Sequence, residues 1–120
     1  MFSVGMSERR VVLAEDDADV RGLVATVLGE EFTVEEFGDG QTCWERLQSE
    51  PHPDVLLLDI SLPRMDGLEL YERVREDDRF SAMSVLFLTG QGEADVPEDA
   101  GYVHKPFSPS ELLERLSELE

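Results

Sequence analysis

Residues 54–60 read DVLLLDI and are apolar from position 55 onward except at Asp59. Pro51 and Pro53 precede the run and Pro63 follows it, so the apolar stretch is too short for a helix of ordinary length. A continuous apolar run, as opposed to an alternating one, belongs to a central strand covered on both faces. That places cover on either side of a sheet and puts Asp59 at the strand's C-terminal end.

The rest of the chain supplies that cover. Residues 10–14 (RVVLA) predict a first strand, and Val20, Leu23, Val24, Val27 and Leu28 then recur at helical spacing, with Asp17 or Asp19 as the cap and Gly29 near the stop. Residues 32–37 (FTVEEF) are strand-like and end in the turn chemistry of Gly38-Asp39-Gly40, after which Cys43, Trp44 and Leu47 mark a second helix. Beyond Asp59, residues 65–77 carry Leu68, Tyr71 and Val74 on a third helix, and residues 84–88 (SVLFL) form a fourth strand ending at Thr89. Residues 102–104 form a short fifth strand before Lys105. A last helix spans 109–119, with Ser108 as cap and Pro109 in its first turn. Strands alternating with helices predict an α/β fold with a parallel sheet; a two-layer α+β arrangement is the alternative.

Length and charge bound the function. The 120 residues suffice for one domain. Twenty-eight acids against ten bases give a net charge of −18, which repels nucleic acid and anionic lipid and argues against direct binding of either. Cys43 is the only cysteine, and no apolar run approaches the roughly 20 residues of a membrane span, so the cytoplasm is the expected setting. Nine of the ten basic residues are Arg, with Lys105 the exception, and with the acid excess this resembles proteins of salt-loving cells. Residues 1–8 show no pattern and read as a loose leader before a domain over 9–120.

The polar residues cluster by position. Glu15 and Asp16 follow the first strand, Asp59 ends the third, Thr89 the fourth, and Lys105 follows the fifth. In an open parallel sheet these C-terminal ends line the crevice where ligands bind. Three carboxylates brought together repel one another more than one Lys offsets, and a hard divalent cation with oxygen ligands, Mg2+, resolves the conflict. With the cation bound, Asp59 has the equipment to attack phosphorus, with Lys105 and Thr89 stabilising the transferring oxygens.

The segments VVLAEDD, VLLLDISLPRMDG, LFLTG and YVHKPF closely resemble, in order, the four signatures of the receiver domain of two-component response regulators. The resemblance implies a (βα)5 doubly wound fold with strand order 2-1-3-4-5. It implies Mg2+ held by Glu15, Asp16, Asp59 and the Ser61 carbonyl, and phosphorylation of Asp59 by a sensor histidine kinase or phosphotransfer protein. Thr89 and Tyr102 take the positions of the family's switch pair, which changes the affinity for a downstream protein. The resemblance also implies a cis Lys105-Pro106 bond, loop-shaping roles for Pro63 and Gly67, and an influence of Ser61 and Gln91 on the phosphoryl lifetime. Such a domain is a phosphorylation-switched signalling unit and not an enzyme with an external substrate.

Three departures from the family pattern matter. Glu15 stands where Asp is commoner, and its extra methylene is expected to carry the carboxylate outward to act through water. Residues 90–101 hold Gly90, Gly92, Pro97 and Gly101, so the fourth helix is expected to be short or absent and the segment mobile. Gly90 also replaces a small side chain, leaving the crevice more open. Two other functions stay open: a non-phosphorylated scaffold, whose expected mark is loss of the acid pair, Asp59 or Lys105, and an aspartate-nucleophile Mg2+ phosphatase. The latter would carry a second Asp where Ser61 stands. A stand-alone regulator, a phosphate shuttle and a piece of a longer regulator or hybrid kinase are equally open.

Overall fold

In the computed structural model, residues 9–90 and 96–119 are described. Five strands, β1 (Arg9–Ala14), β2 (Phe32–Phe37), β3 (Val55–Asp59), β4 (Ser84–Thr89) and β5 (Gly101–His104), form one sheet in the order β2-β1-β3-β4-β5, with every pair parallel. The helices among the described residues are α1 (Ala18–Leu28), α2 (Gly40–Leu47), α3 (Gly67–Arg75) and α4 (Pro109–Ser117). A short 3-10 turn, Asp78–Phe80, which the apolar pattern does not signal, joins α3 to β4 and buries Phe80.

The alternation of each strand sorts its side chains into two cores. Val11, Leu13, Val55, Leu57, Leu86, Leu88 and Val103 pack with Val24 and Leu28 of α1 and Leu112 and Leu116 of α4. Val12, Ala14, Leu56, Leu58, Val85 and Phe87 pack with Cys43 and Leu47 of α2 and Leu70, Tyr71 and Val74 of α3. Every residue of β3 is buried, so its chain direction is held by several side chains each worth about 1.5–3 kcal/mol of apolar burial. Asp59 is carried into the interior by that strand.

Each helix begins at a side chain that satisfies its free N–H groups. Asp17 accepts from the backbone N–H of Asp19 and Val20, Asp39 from Thr42, Asp66 from Glu69, and Ser108 from Glu111. Asp17 is therefore the cap of α1, and Asp19 sits in the first turn. Two sequence expectations shift. Leu23, placed on the α1 stripe, is 51% exposed, because Val24 and Leu28 take the inward positions. The third helix starts at Gly67, after Asp66 caps it, two residues later than its pattern predicts.

The described part of the β4–β5 connection, Gly90 and residues 96–100, forms bends and a turn with Ala100 N–H bonded to the Pro97 carbonyl at 3.0 Å. No helix occurs there among the described residues, as the glycines and Pro97 predict. The expectation of mobility for 90–101 lies in part outside the described residues, and the leader at 1–8 lies wholly outside them. Cys43 is fully buried and Trp44 meets the Phe80 ring edge-on at 6.1 Å, so both serve packing. Burial pushes the Cys43 thiol up to about 12.

Candidate functional site

Strand register brings the polar residues to one edge. Ala14 pairs with Leu58, Asp59 with Leu88, and Thr89 with His104, so Glu15 and Asp59 leave adjacent strands level with each other, with Thr89 one residue and Lys105 two residues further along at the same sheet edge. The Lys105 N–H donates to the Thr89 carbonyl at 2.7 Å, extending the ladder one step past β5. The Lys105-Pro106 bond is cis.

The Lys105 ammonium lies 3.0 Å from Asp59 Oδ2 and 2.7 Å from Glu15 Oε1. Its bond to Asp59 is aligned, and its shorter approach to Glu15 Oε1 is an ion pair with a buried carboxylate. Asp59 Oδ1 accepts from the Ser61 N–H at 3.1 Å, and Glu15 Oε2 accepts from the Asp17 N–H at 3.1 Å. Glu15, Asp16 and Asp59 each offer one carboxylate oxygen, and these lie within 4.8 Å of one another.

Burial decides the electrostatics. Glu15 is 0% exposed, and this burial raises its pKa against the opposing pull of Lys105 and the Asp17 N–H, with Asp59 nearby raising it further. The outward, water-mediated placement expected of Glu15 is thus corrected: its longer side chain folds inward, because its backbone N–H is held by the Phe37 carbonyl and its carboxylate by Asp17 and Lys105. For Lys105, burial works against the charge, but the Glu15 and Asp59 carboxylates outweigh it and raise the ammonium pKa. The pocket is overdrawn in negative charge even with Lys105 present.

The donor set fits a hard divalent cation. All three side chains are carboxylates, and the one Lys105 ammonium that Glu15 and Asp59 share offsets only part of their charge, an excess that Mg2+ coordination satisfies. Among the described residues this is the only such cluster.

The loop from Asp59 to α3 is shaped by close approaches. Gly67 donates to the Ile60 carbonyl at 2.8 Å, and a Cβ at position 67 would lie 2.0 Å from the Asp59 carbonyl oxygen. Arg64 takes a positive φ of 70° and reaches back to Asp39 at 3.2 Å. Thr89 is 1% exposed beside the pocket. Tyr102 stands opposite Phe87 in register, one layer below the Thr89 level, with the Arg115 guanidinium 5.8 Å from its ring centre and bonded to its carbonyl at 2.6 Å. Gln91 lies outside the described residues. Two arginines escaped the sequence reading: Arg64, and Arg21, whose guanidinium donates to the Glu15 carbonyl at 2.8 Å. Neither forms part of a strand-end pattern, and their roles depend on contacts made only in the folded chain.

Residues 11–117 match the response regulator receiver domain family. The chain belongs to that family. This receiver domain is 36% identical over 118 residues to the response regulator receiver protein CpdR of Brucella abortus, a match covering 92% of this chain and 96% of that protein. It is 35% identical over 119 residues to the regulatory protein VanRc of Enterococcus gallinarum, of which it spans about half, 49%. Its fold superposes on the chemotaxis response regulator CheY4 of Vibrio cholerae with a TM-score of 0.87 and 26% identity, covering 95% of this chain and 100% of that one. The receiver's place in two-component signalling follows from membership, as does the five-stranded order that the resemblance implied. No helix among the described residues is long and apolar enough to cross a membrane.

Proposed function

We propose that this receiver accepts a phosphoryl group on Asp59 in a Mg2+-dependent transfer from a histidine kinase or phosphotransfer protein, and that the modification switches its affinity for a protein partner. The observation that carries the reading is the convergence of Asp59 with Glu15, Asp16 and Lys105, three carboxylate oxygens within 4.8 Å and an ammonium 3.0 Å from the acceptor. A domain over 9–120 acting in the cytoplasm is part of the same proposal.

Glu15, Asp16 and Asp59 with the Ser61 carbonyl would hold the cation. Bound there, Mg2+ would offset the carboxylates' repulsion and draw the phosphoryl oxygens toward the acceptor. Asp59 supplies the nucleophile: one of its carboxylate oxygens forms a bond to phosphorus as the bond from phosphorus to the donor imidazole nitrogen breaks. The electron pair stays on that nitrogen, which then takes a proton from solvent. Ser61 N–H steadies Asp59 Oδ1 during the approach. Lys105, released from its direct contact with Asp59 Oδ2, follows the new negative charge onto a phosphoryl oxygen, and the Thr89 hydroxyl meets another. Movement of Thr89 then favours an inward Tyr102, a shift between two populations biased by the phosphoryl contacts.

Borohydride reduction of the protein after treatment with acetyl phosphate and Mg2+ tests the acceptor, since it converts an aspartyl phosphate to homoserine. Peptide sequencing by mass spectrometry is expected to find homoserine at position 59. Its appearance at another acid would contradict the assignment of Asp59, and its absence everywhere would favour the scaffold reading.

A further inference from the structure

Glu15 is held on every side, and one holder has no other evident duty. Its N–H donates to the Phe37 carbonyl at 3.0 Å, and its carboxylate meets the Asp17 N–H and the Lys105 ammonium. Its carbonyl accepts from Arg21 Nη1 at 2.8 Å across the first turn of α1. That carbonyl belongs to the peptide linking Glu15 to Asp16, so its direction sets where both side chains leave the backbone. Asp16 is exposed, and no hydrogen bond to its carboxylate is found among the described residues. The aim of Asp16 therefore depends on its backbone, and Arg21 is the side chain that bonds the carbonyl of the peptide joining Glu15 to Asp16.

The guanidinium is placed for this contact. Only 25% of the Arg21 side chain is exposed, and Glu36, its carboxylate neighbour, lies at 3.8 Å, beyond a strong bond. The guanidinium lies over Gly38, where a Cβ would come within 3.2 Å of Nη1. A neutral carbonyl is thus its closest partner in a chain rich in carboxylates.

We propose that Arg21 is a positioning residue for the acidic pocket, fixing the Glu15–Asp16 peptide so that both carboxylates aim at one cation. This rests on the reading of the pocket as a Mg2+ site. Arg21 touches neither the cation nor the phosphoryl group; it acts through the peptide it holds. Groups hydrogen-bonded to metal ligands usually change the affinity by about 10–100-fold when altered, and Arg21, which holds the ligands' backbone, is expected to act at the low end of that range.

Calorimetric titration of Mg2+ into the full chain decides the matter, with wild type, Arg21→Met, Arg21→Lys and Gly38→Ala compared, and near-ultraviolet circular dichroism confirming that each is folded. Arg21→Met, which keeps the length and loses the donor, is expected to weaken Mg2+ binding about tenfold. Arg21→Lys, which keeps one donor, is expected to recover most of that loss, and acetyl phosphate labelling at saturating Mg2+ is expected to stay within about twofold of wild type. A purely structural Arg21 would lower the melting temperature and leave Mg2+ affinity of the folded protein unchanged, and that result overturns the proposal. Should Arg21→Met fail to fold, Gly38→Ala decides, because the displaced guanidinium is expected to weaken binding about threefold, a smaller effect of the same kind. Unaltered affinity there overturns it equally. Wild type that binds no Mg2+ is a different result, one that removes the cation site itself.

Discussion

Glu35 and Arg46 show how a single ion pair in this chain responds to pH. Arg46 Nε and Nη2 bond the two Glu35 oxygens at 2.7 and 2.9 Å, and its other donors reach the Ser49 and Pro51 carbonyls. The Arg46 hydrogen bonds hold the Glu35 carboxyl below the usual carboxylate range. A lowered folded-state pKa contributes stability that is complete above the unfolded value and is lost as pH falls through the folded one. Because the pair is partly exposed, screening limits its worth to about 0.5–1 kcal/mol. Glu35→Gln is therefore expected to be less stable than wild type by about that amount at pH 7 in urea unfolding, with the difference closing below roughly pH 4. A gap that stays constant down to pH 3 would contradict the assignment. Glu15 has the opposite sign: burial raises its pKa, so its charge at neutral pH costs the fold, as expected of a group kept for binding.

At the scale of elements, the loop from β3 into α3 depends on a missing side chain. A Cβ on Gly67 would sit 2.0 Å from the Asp59 carbonyl oxygen and 2.9 Å from Ile60 Cα, both backbone atoms that cannot turn aside. Gly67→Ala is expected to destabilise the protein by about 2–4 kcal/mol, through a loop shift or a lost bond to Ile60. Gly22, on the exposed side of α1, has nothing within 4 Å, and Gly22→Ala is expected to stabilise by about 0.5–1 kcal/mol. Equal effects of the two substitutions on the urea midpoint would refute the steric account. The same elements show what could be read in advance. Strand-end residues were legible because apolar runs are interrupted by a polar residue at Glu15, Asp59 and Thr89, and a parallel sheet must bring such positions to one edge. The start of α3 was not, since Arg64 with its positive φ and the Asp66 cap spend residues on turning that periodicity counts as helix. Phe80 is a lone apolar anchor on a 3-10 turn and leaves no periodic trace. The inward fold of Glu15 and the reach of Arg21 depend on the Phe37, Asp17 and Lys105 contacts, which span separate elements.

The chain carries a net charge of −18, and the domain's radius of gyration is 13.6 Å. The screening length is about 10 Å at 0.1 M salt and about 3 Å at 1 M, so repulsion across the domain is felt in dilute buffer and suppressed in concentrated salt. The melting temperature is expected to rise by several degrees from 20 mM to 1 M KCl, as for an acidic surface suited to high salt. A melting temperature indifferent to KCl would show that repulsion is already balanced locally, by pairs such as Glu35 with Arg46. Acid excess also governs the pocket, where Lys105 pairs with Glu15 and Asp59 beside a third carboxylate, Asp16.

Asp59 as a Mg2+-dependent phosphoryl acceptor is tested most directly by intact-mass spectrometry after incubation with acetyl phosphate, with and without Mg2+, beside Asp59→Asn. The account predicts a gain of one phosphoryl group in wild type with Mg2+, little or none when the cation is chelated, and none in Asp59→Asn. An equal gain without Mg2+, or a gain that persists in Asp59→Asn, would contradict it.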